Sequence, residues 1–366
     1  MRYWNRIWES IERQKENEAQ PAEEGNASLP TIWLLGKTGA GKSSFIKLLT
    51  GIPEIEIGNG YEPCTRHSCL FKFPADEPVA QFVDTAGIGM EKFDPADGIA
   101  SQTGPGNAII AVVRIDDPVV GDLCAVIRNI RKLRRRIRII VVHSRADETT
   151  DSEYREQLRN ANHRSIELAA GQRLPQVEMG LNDQAVADNS RKRILDLLED
   201  ELPLVAFLME REERSTVERA KFSQVRSRVA RRSLEAGTAA AIPIVGIPAE
   251  VAVQARMLIE LSRQYDVPMS REVLVGMGSA LGAGIVAGRA VGMIARQAGT
   301  LIPIVGQTAG PAIAGVTGFA STFAMGRASG YYFHQLKAGT PPDRNEIRRL
   351  YRSALRNAQH SYKSGR

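Results

Sequence analysis

"LLGKTGAGKSSF", residues 34–45, is the stretch on which the fold turns. An apolar run, residues 31–35, leads into it, and a helix-forming run, residues 44–50, leads out. Between them Gly36 to Ser43 read G-x-x-x-x-G-K-S, the spacing of a phosphate-binding loop. Glycines there let the backbone curl until its N–H groups, with the N-terminus of the following helix, face the phosphates. The strand-loop-helix setting is the context that gives the motif its meaning.

Working outward, residues 29–210 alternate short apolar runs with amphipathic ones, which predicts a doubly wound, mostly parallel α/β sheet. Strands are expected at 31–35, 68–73, 80–83, 108–115 and 137–143, and helices at 42–50, 120–134, 152–170 and 191–209. Each side chain then has a chemical task. In the loop, Gly36, Lys37, Thr38, Gly39, Ala40, Gly41 and Ser44 offer backbone around the phosphates; Lys42 reaches the β- and γ-phosphates, and Ser43 places its hydroxyl on Mg²⁺. Asp84-Thr85-Ala86-Gly87 follows an apolar run, so the Asp84 carboxylate can hold the metal through water and the Gly87 N–H can touch the γ-phosphate. Thr65, in a polar segment read as a loop, supplies a second hydroxyl to the metal. The run IRIIVVHS, residues 137–144, ends in Ser144-Arg145-Ala146-Asp147; a carboxylate there accepts both the ring N–H and the exocyclic amine of guanine, a donor pair that adenine lacks.

The order and spacing of these motifs resemble the Era-like branch of translation-factor-type GTPases. That resemblance implies an α/β P-loop GTPase domain that binds GTP and GDP with Mg²⁺ and hydrolyses GTP, with Lys42, Thr65 and Gly87 at the reacting phosphate. It also implies a bacterial protein. Three departures stand out. Ser144 and Arg145 replace the usual Asn or Thr and Lys, and a serine is shorter than an asparagine for holding the loop. Ile88 stands where Ras-like enzymes place the glutamine that orients water, so slow turnover is expected from the isolated protein. Relatives with an apolar residue there speed up on meeting a partner or on dimerising, which implies a homodimer through the GTPase domain. Gly39 occupies the position of the asparagine found in potassium-activated relatives. The last base-contacting motif, usually Ser-Ala-x, is not evident; its expected place is near 176–181. Arg66 is a candidate catalytic arginine, with an exposed salt bridge as the alternative.

The chain has 366 residues, 43% apolar and 25% charged, enough for two cores, so disorder is not the default reading. Three cysteines exclude a disulfide scaffold and suit a reducing compartment. Cys64, His67 and Cys69 lack a fourth ligand for zinc. The start carries no secretory signal, so a cytoplasmic protein is expected. Trp4, Ile7, Trp8 and Ile11 make one apolar helix stripe, suited to a membrane interface or to its own protein, and residues 14–28 read as a linker.

Beyond 210 the composition changes. A charged helical run at 211–235 gives way to sequence with no charge over 273–288 and again over 297–326, rich in small residues such as Gly278 and Gly282. "AGTAAAIPIVG" at 236–246 recurs as "AGTLIPIVG" at 298–306. This all-α, small-residue-rich region, 211–340, is expected to meet an anionic membrane, with a tightly packed bundle as the alternative. Its composition resembles the YcjF-like domain that accompanies bacterial Era-like GTPases, which implies the cytoplasmic face of the inner membrane. A basic amphipathic helix closes the chain at 341–366, and residues 1–28 stand apart as helix and linker. The net charge of +6, concentrated in arginine runs, is also compatible with a GTP-dependent RNA or ribosome assembly factor. A dynamin-like remodelling protein is a further alternative.

Overall fold

The computed structural model describes residues 2–16, 29–51, 61–65, 68–85, 88, 96–101, 106–149, 151–210, 215–242, 246–282 and 306–364. The chain divides into two compact units: residues 29–209 with 364–366, and residues 1–28 with 210–363. The first helix, α1 (Arg2–Glu16), belongs to the second unit.

The first unit begins with β1 (Thr31–Leu35), α2 (Lys42–Thr50), β2 (Tyr61–Thr65), β3 (Ser68–Phe73) and β4 (Ala80–Thr85). It continues through α3 (Ala96–Ser101), β5 (Ala108–Arg114), α4 (Gly121–Leu133), β6 (Arg138–Ser144) and α5 (Ser152–Ala170). β7 (Gln176–Met179), α6 (Gln184–Glu201) and α7 (Pro203–Met209) complete it. The seven strands order β2-β3-β4-β1-β5-β6-β7, parallel from β4 to β7 and antiparallel where β2 and β3 extend the edge. All five residues of β1 are buried, because both faces of the sheet are covered. Ile32 and Leu34 pack with Phe45 and Ile46 of α2 and Ile194 and Leu198 of α6. Trp33 and Leu35 pack with Leu123 and Ile127 of α4 and Ile166 of α5. Alternate residues of one strand thus serve two cores, which is what makes the sheet doubly wound.

Three local expectations change. The polar segment ending at Thr65 is a strand, β2, paired antiparallel with β3, where partner backbone rather than composition decides. β4 runs on to Thr85, so Asp84 lies within the strand, paired with Leu34 of β1. The helix expected at 191–209 is two helices: Asp183 caps α6 by accepting the Val186 N–H at 2.9 Å, and Pro203, which has no N–H, opens α7.

The second unit is helical: α1, α8 (Val217–Ala240), α9 (Gly246–Gln264), α10 (Arg271–Leu281), α11 (Gly306–Lys337) and α12 (Arg344–Ser364). Phe319, Ala320, Phe323 and Ala324 of α11 are buried, as are Leu274, Met277 and Leu281 of α10. Small residues set the spacing of α8 and α11: a Cβ on Gly326 would lie 2.4 Å from Val229 Cγ1, and one on Gly318 would lie 2.7 Å from Ala240 Cβ. Partly buried Arg232 pairs with Glu260 at 2.5 Å and with buried Glu235 at 2.7 Å, and buried Arg327 pairs with Glu218 at 2.6 Å. Among the described residues no helix is long and apolar enough to cross a membrane.

The amphipathic ends pack on this unit. Trp4, Ile7 and Ile11 are buried where α1 meets α9 and α10, and α1 runs to Glu16, into the segment expected as linker. On α12, Ile347, Leu350, Tyr351 and Ala354 are buried, Tyr362 lies 4.9 Å from the Phe319 ring, and Arg349, Arg352 and Arg356 are exposed. The second copy of the repeat lies outside the described residues, apart from Gly306.

Candidate functional site

The loop between β1 and α2 is shaped by what its glycines permit. A Cβ on Gly36 would sit 2.3 Å from the Val112 carbonyl oxygen on β5, so the loop leaves β1 against the backbone of its neighbour. Gly41, at φ 95°, turns the chain into α2 in a conformation that L side chains rarely adopt. The Ala40 N–H donates to the Lys37 carbonyl at 3.1 Å and closes the curl. Thr38, Gly39 and Ser43 remain exposed.

Lys42 is buried, and its ammonium donates to the carbonyls of Gly36 and Lys37, both at 3.2 Å. Burial lowers its pKa, against the raising influence of the Asp84 charge. The Ser43 hydroxyl donates to Asp84 Oδ2 at 2.8 Å. Burial raises the Asp84 pKa, while the Ser43 hydrogen bond and the Lys42 charge pull it down. Asp84 Oδ1 is buried without a hydrogen-bond partner. A hydroxyl and a carboxylate with a spare, desolvated oxygen are hard donors that fit a Mg²⁺ ion.

At the other end of the site, the Ser144 hydroxyl donates to the Ala40 carbonyl at 2.7 Å and ties the end of β6 to the phosphate-binding loop. The shorter serine reaches the loop after all. Arg145, at φ 57°, pairs with Glu148 at 3.0 Å. Asp147 Oδ2 accepts the N–H groups of Leu181 and Asn182, each at 2.6 Å, and the Asn182 side chain donates to the Asp147 carbonyl at 3.2 Å. Gly180 allows this approach, since a Cβ there would lie 2.7 Å from Asp147 Cγ. The cleft between the two ends has a volume of about 440 Å³ and is lined by Gly39, Lys42 and Ser43 on one side and by Ser144, Asp147 and Leu181 on the other.

The fold therefore brings the 36–44 loop, Asp84, and Ser144, Arg145 and Asp147 to the same edge of the parallel sheet. Thr65 ends β2, paired with Ser68, and its side chain lies outside the described residues, as do Gly87, Arg66 and His67 and the side chains of Cys64 and Cys69. Among the described residues no group of three or more His, Cys, Asp or Glu side chains gathers as for a bound metal ion. Met179, Leu181 and Asn182 line the cleft although no Ser-Ala-x motif marks them; their signal was positional, the turn after the last parallel strand. Lys37 turns its side chain to Asp117 at 2.7 Å, a partner that the sequence did not suggest. Ile88 donates its N–H to the Gly36 carbonyl at 3.2 Å and packs its side chain against the core of the α4–α5 face.

Comparison with known protein families agrees with this fold. Residues 31–169 match the 50S ribosome-binding GTPase family. Crystal structures of two mutation variants of SsGBP align at 14% and 15% identity with TM-scores of 0.31 and 0.32; they cover 56% of this chain, and the chain spans 63% and 64% of theirs. No curated protein matches the chain. The mostly parallel sheet, its flanking helices and the match over residues 31–169 together identify a P-loop GTPase domain within the chain.

Proposed function

We propose that the chain is a Mg²⁺-dependent GTPase in which residues 36–44 wrap the phosphates, Lys42 neutralises the β- and γ-phosphates, Ser43 and Asp84 hold the metal, and Asp147 reads guanine. The observation that carries this reading is the Ser43–Asp84 hydrogen bond at 2.8 Å, beside a buried lysine and a spare carboxylate oxygen. Bound Mg²⁺ would offset the charge that develops on the transferring phosphate. Ser144 and Arg145 brace the base end. Thr65 and Gly87 close on the γ-phosphate and form the switch. Ile88, an apolar side chain packed against the core, leaves water unoriented, so turnover by the isolated protein is slow.

The nucleotide state is coupled to a partner through the helical unit. Exposed Arg349, Arg352 and Arg356 on α12 support peripheral contact with an anionic membrane at the cytoplasmic face, and homodimerisation through the GTPase domain would accelerate hydrolysis. A second reading, ribosome or RNA binding, is favoured by the family description and by the exposed cations Lys132, Arg135, Arg136 and Arg138, which run from the end of α4 to the start of β6.

Fluorescent mant-GTP, mant-GDP and mant-ATP titrated with and without Mg²⁺ test the core reading. Guanine-selective, Mg²⁺-dependent binding that Lys42→Ala removes is expected; equal affinity for ATP overturns it. Flotation with anionic vesicles against co-sedimentation with ribosomes then separates the two partner readings.

A further inference from the structure

A buried side chain on α5 is linked to the phosphate-binding loop by an unbroken series of polar contacts. Asn162 is buried, and its amide nitrogen lies 3.1 Å from the Asp117 carbonyl, 3.3 Å from that of Ile115 and 3.4 Å from that of Arg114. Two N–H groups are thus shared among three carbonyls of one turn, the one that follows β5. A buried amide costs stability unless it is bonded, and this one directs all three of these contacts to that turn. The turn fixes Asp117, whose Oδ1 accepts the Val119 N–H at 3.0 Å while Oδ2 meets the Lys37 ammonium at 2.7 Å. Lys37 is the second residue of the loop. Its carbonyl receives both the Ala40 N–H at 3.1 Å and the Lys42 ammonium at 3.2 Å.

We infer that Asn162 is a positioning residue for nucleotide binding: through the 114–117 turn and the Asp117–Lys37 ion pair it holds the start of the phosphate-binding loop in register. A free lysine side chain at position 37 would carry several rotamers, and the loop would have to order itself when phosphate arrives. The ion pair removes that ordering step beforehand. The inference rests on the nucleotide-binding reading of the 36–44 loop.

The test follows release of mant-GDP from the full chain after a chase with unlabelled GDP, alongside thermal unfolding without nucleotide. Asn162→Ala and Lys37→Met are each expected to speed release about fivefold, and the double variant to match the faster single within about twofold, because both act along one path. Rates that multiply, or an unfolding temperature that falls with release unchanged, overturn the inference in favour of a merely structural asparagine. If Asn162→Ala does not fold, the ion pair carries the test. Lys37→Glu and Asp117→Lys should each speed release and together restore it to within about twofold of wild type; no restoration overturns the inference. Wild-type protein that fails to hold mant-GDP overturns the nucleotide reading itself, and the inference with it.

Discussion

Ser144→Ala isolates the bond between the base end of the site and the phosphate end. The hydroxyl is buried and donates to the Ala40 carbonyl at 2.7 Å, with Val113 O at 3.4 Å as a weaker second acceptor. Removing it takes the 2.7 Å donor from a carbonyl in a buried residue, and such a loss costs about 1–3 kcal/mol. For a unit of this size each kcal/mol lowers the unfolding temperature by roughly 2–4 °C, so the variant should melt about 2–12 °C below wild type. Ala40 lies one residue before the glycine that turns the chain into α2, so the loosened loop should also lose nucleotide affinity, by about tenfold for each 1.4 kcal/mol transferred to binding. Ser144→Thr keeps a hydroxyl and should retain most of both. Differential scanning calorimetry and mant-GDP titration provide the readouts. A Ser144→Ala variant that melts within 1 °C of wild type and binds mant-GDP equally well would show that the contact does no work.

Two further outcomes are expected. Gly180→Ala places a Cβ 2.7 Å from Asp147 Cγ and 2.8 Å from Val186 Cγ1, which should destabilise the unit by about 1–3 kcal/mol and, by displacing Asp147, narrow the preference for GTP over ATP; unchanged selectivity in competition binding argues against Asp147 as the guanine reader. His143 is buried on β6, and burial, followed by the nearby charges of His163 and Arg159, pushes its pKa down from 6.5 to about 3. The folded state therefore stays neutral where the unfolded chain takes up a proton, so this contribution is present above pH 6.5 and is lost as pH falls toward 3. Between pH 6.5 and 5 the wild type should lose roughly 1–2 kcal/mol more than His143→Leu in urea titrations; equal losses refute this.

Much of the first unit was legible because its signals are local. The spacing from Gly36 to Ser43 needs no partner to be recognised, and runs such as TIWLL are apolar at every position since the strand is covered on both faces. Edges and breaks were less legible. The segment ending at Thr65 became a strand because β3 supplies its hydrogen bonds, and a pairing partner leaves no mark on composition.

By itself the sequence determined the phosphate-binding loop, the doubly wound sheet and the placing of Asp84 and Asp147 close to strand ends, although Asp84 proved to lie within β4. Only the tertiary structure decided which side chains complete the site. Asp117 reaches Lys37 across 80 positions, and Leu181 and Asn182 reach Asp147 across 34 and 35. It also decided that the stripes of α1 and α12 and the small residues of α11 lie inside a helical bundle: an apolar face records only that it is covered, and packing selects what covers it.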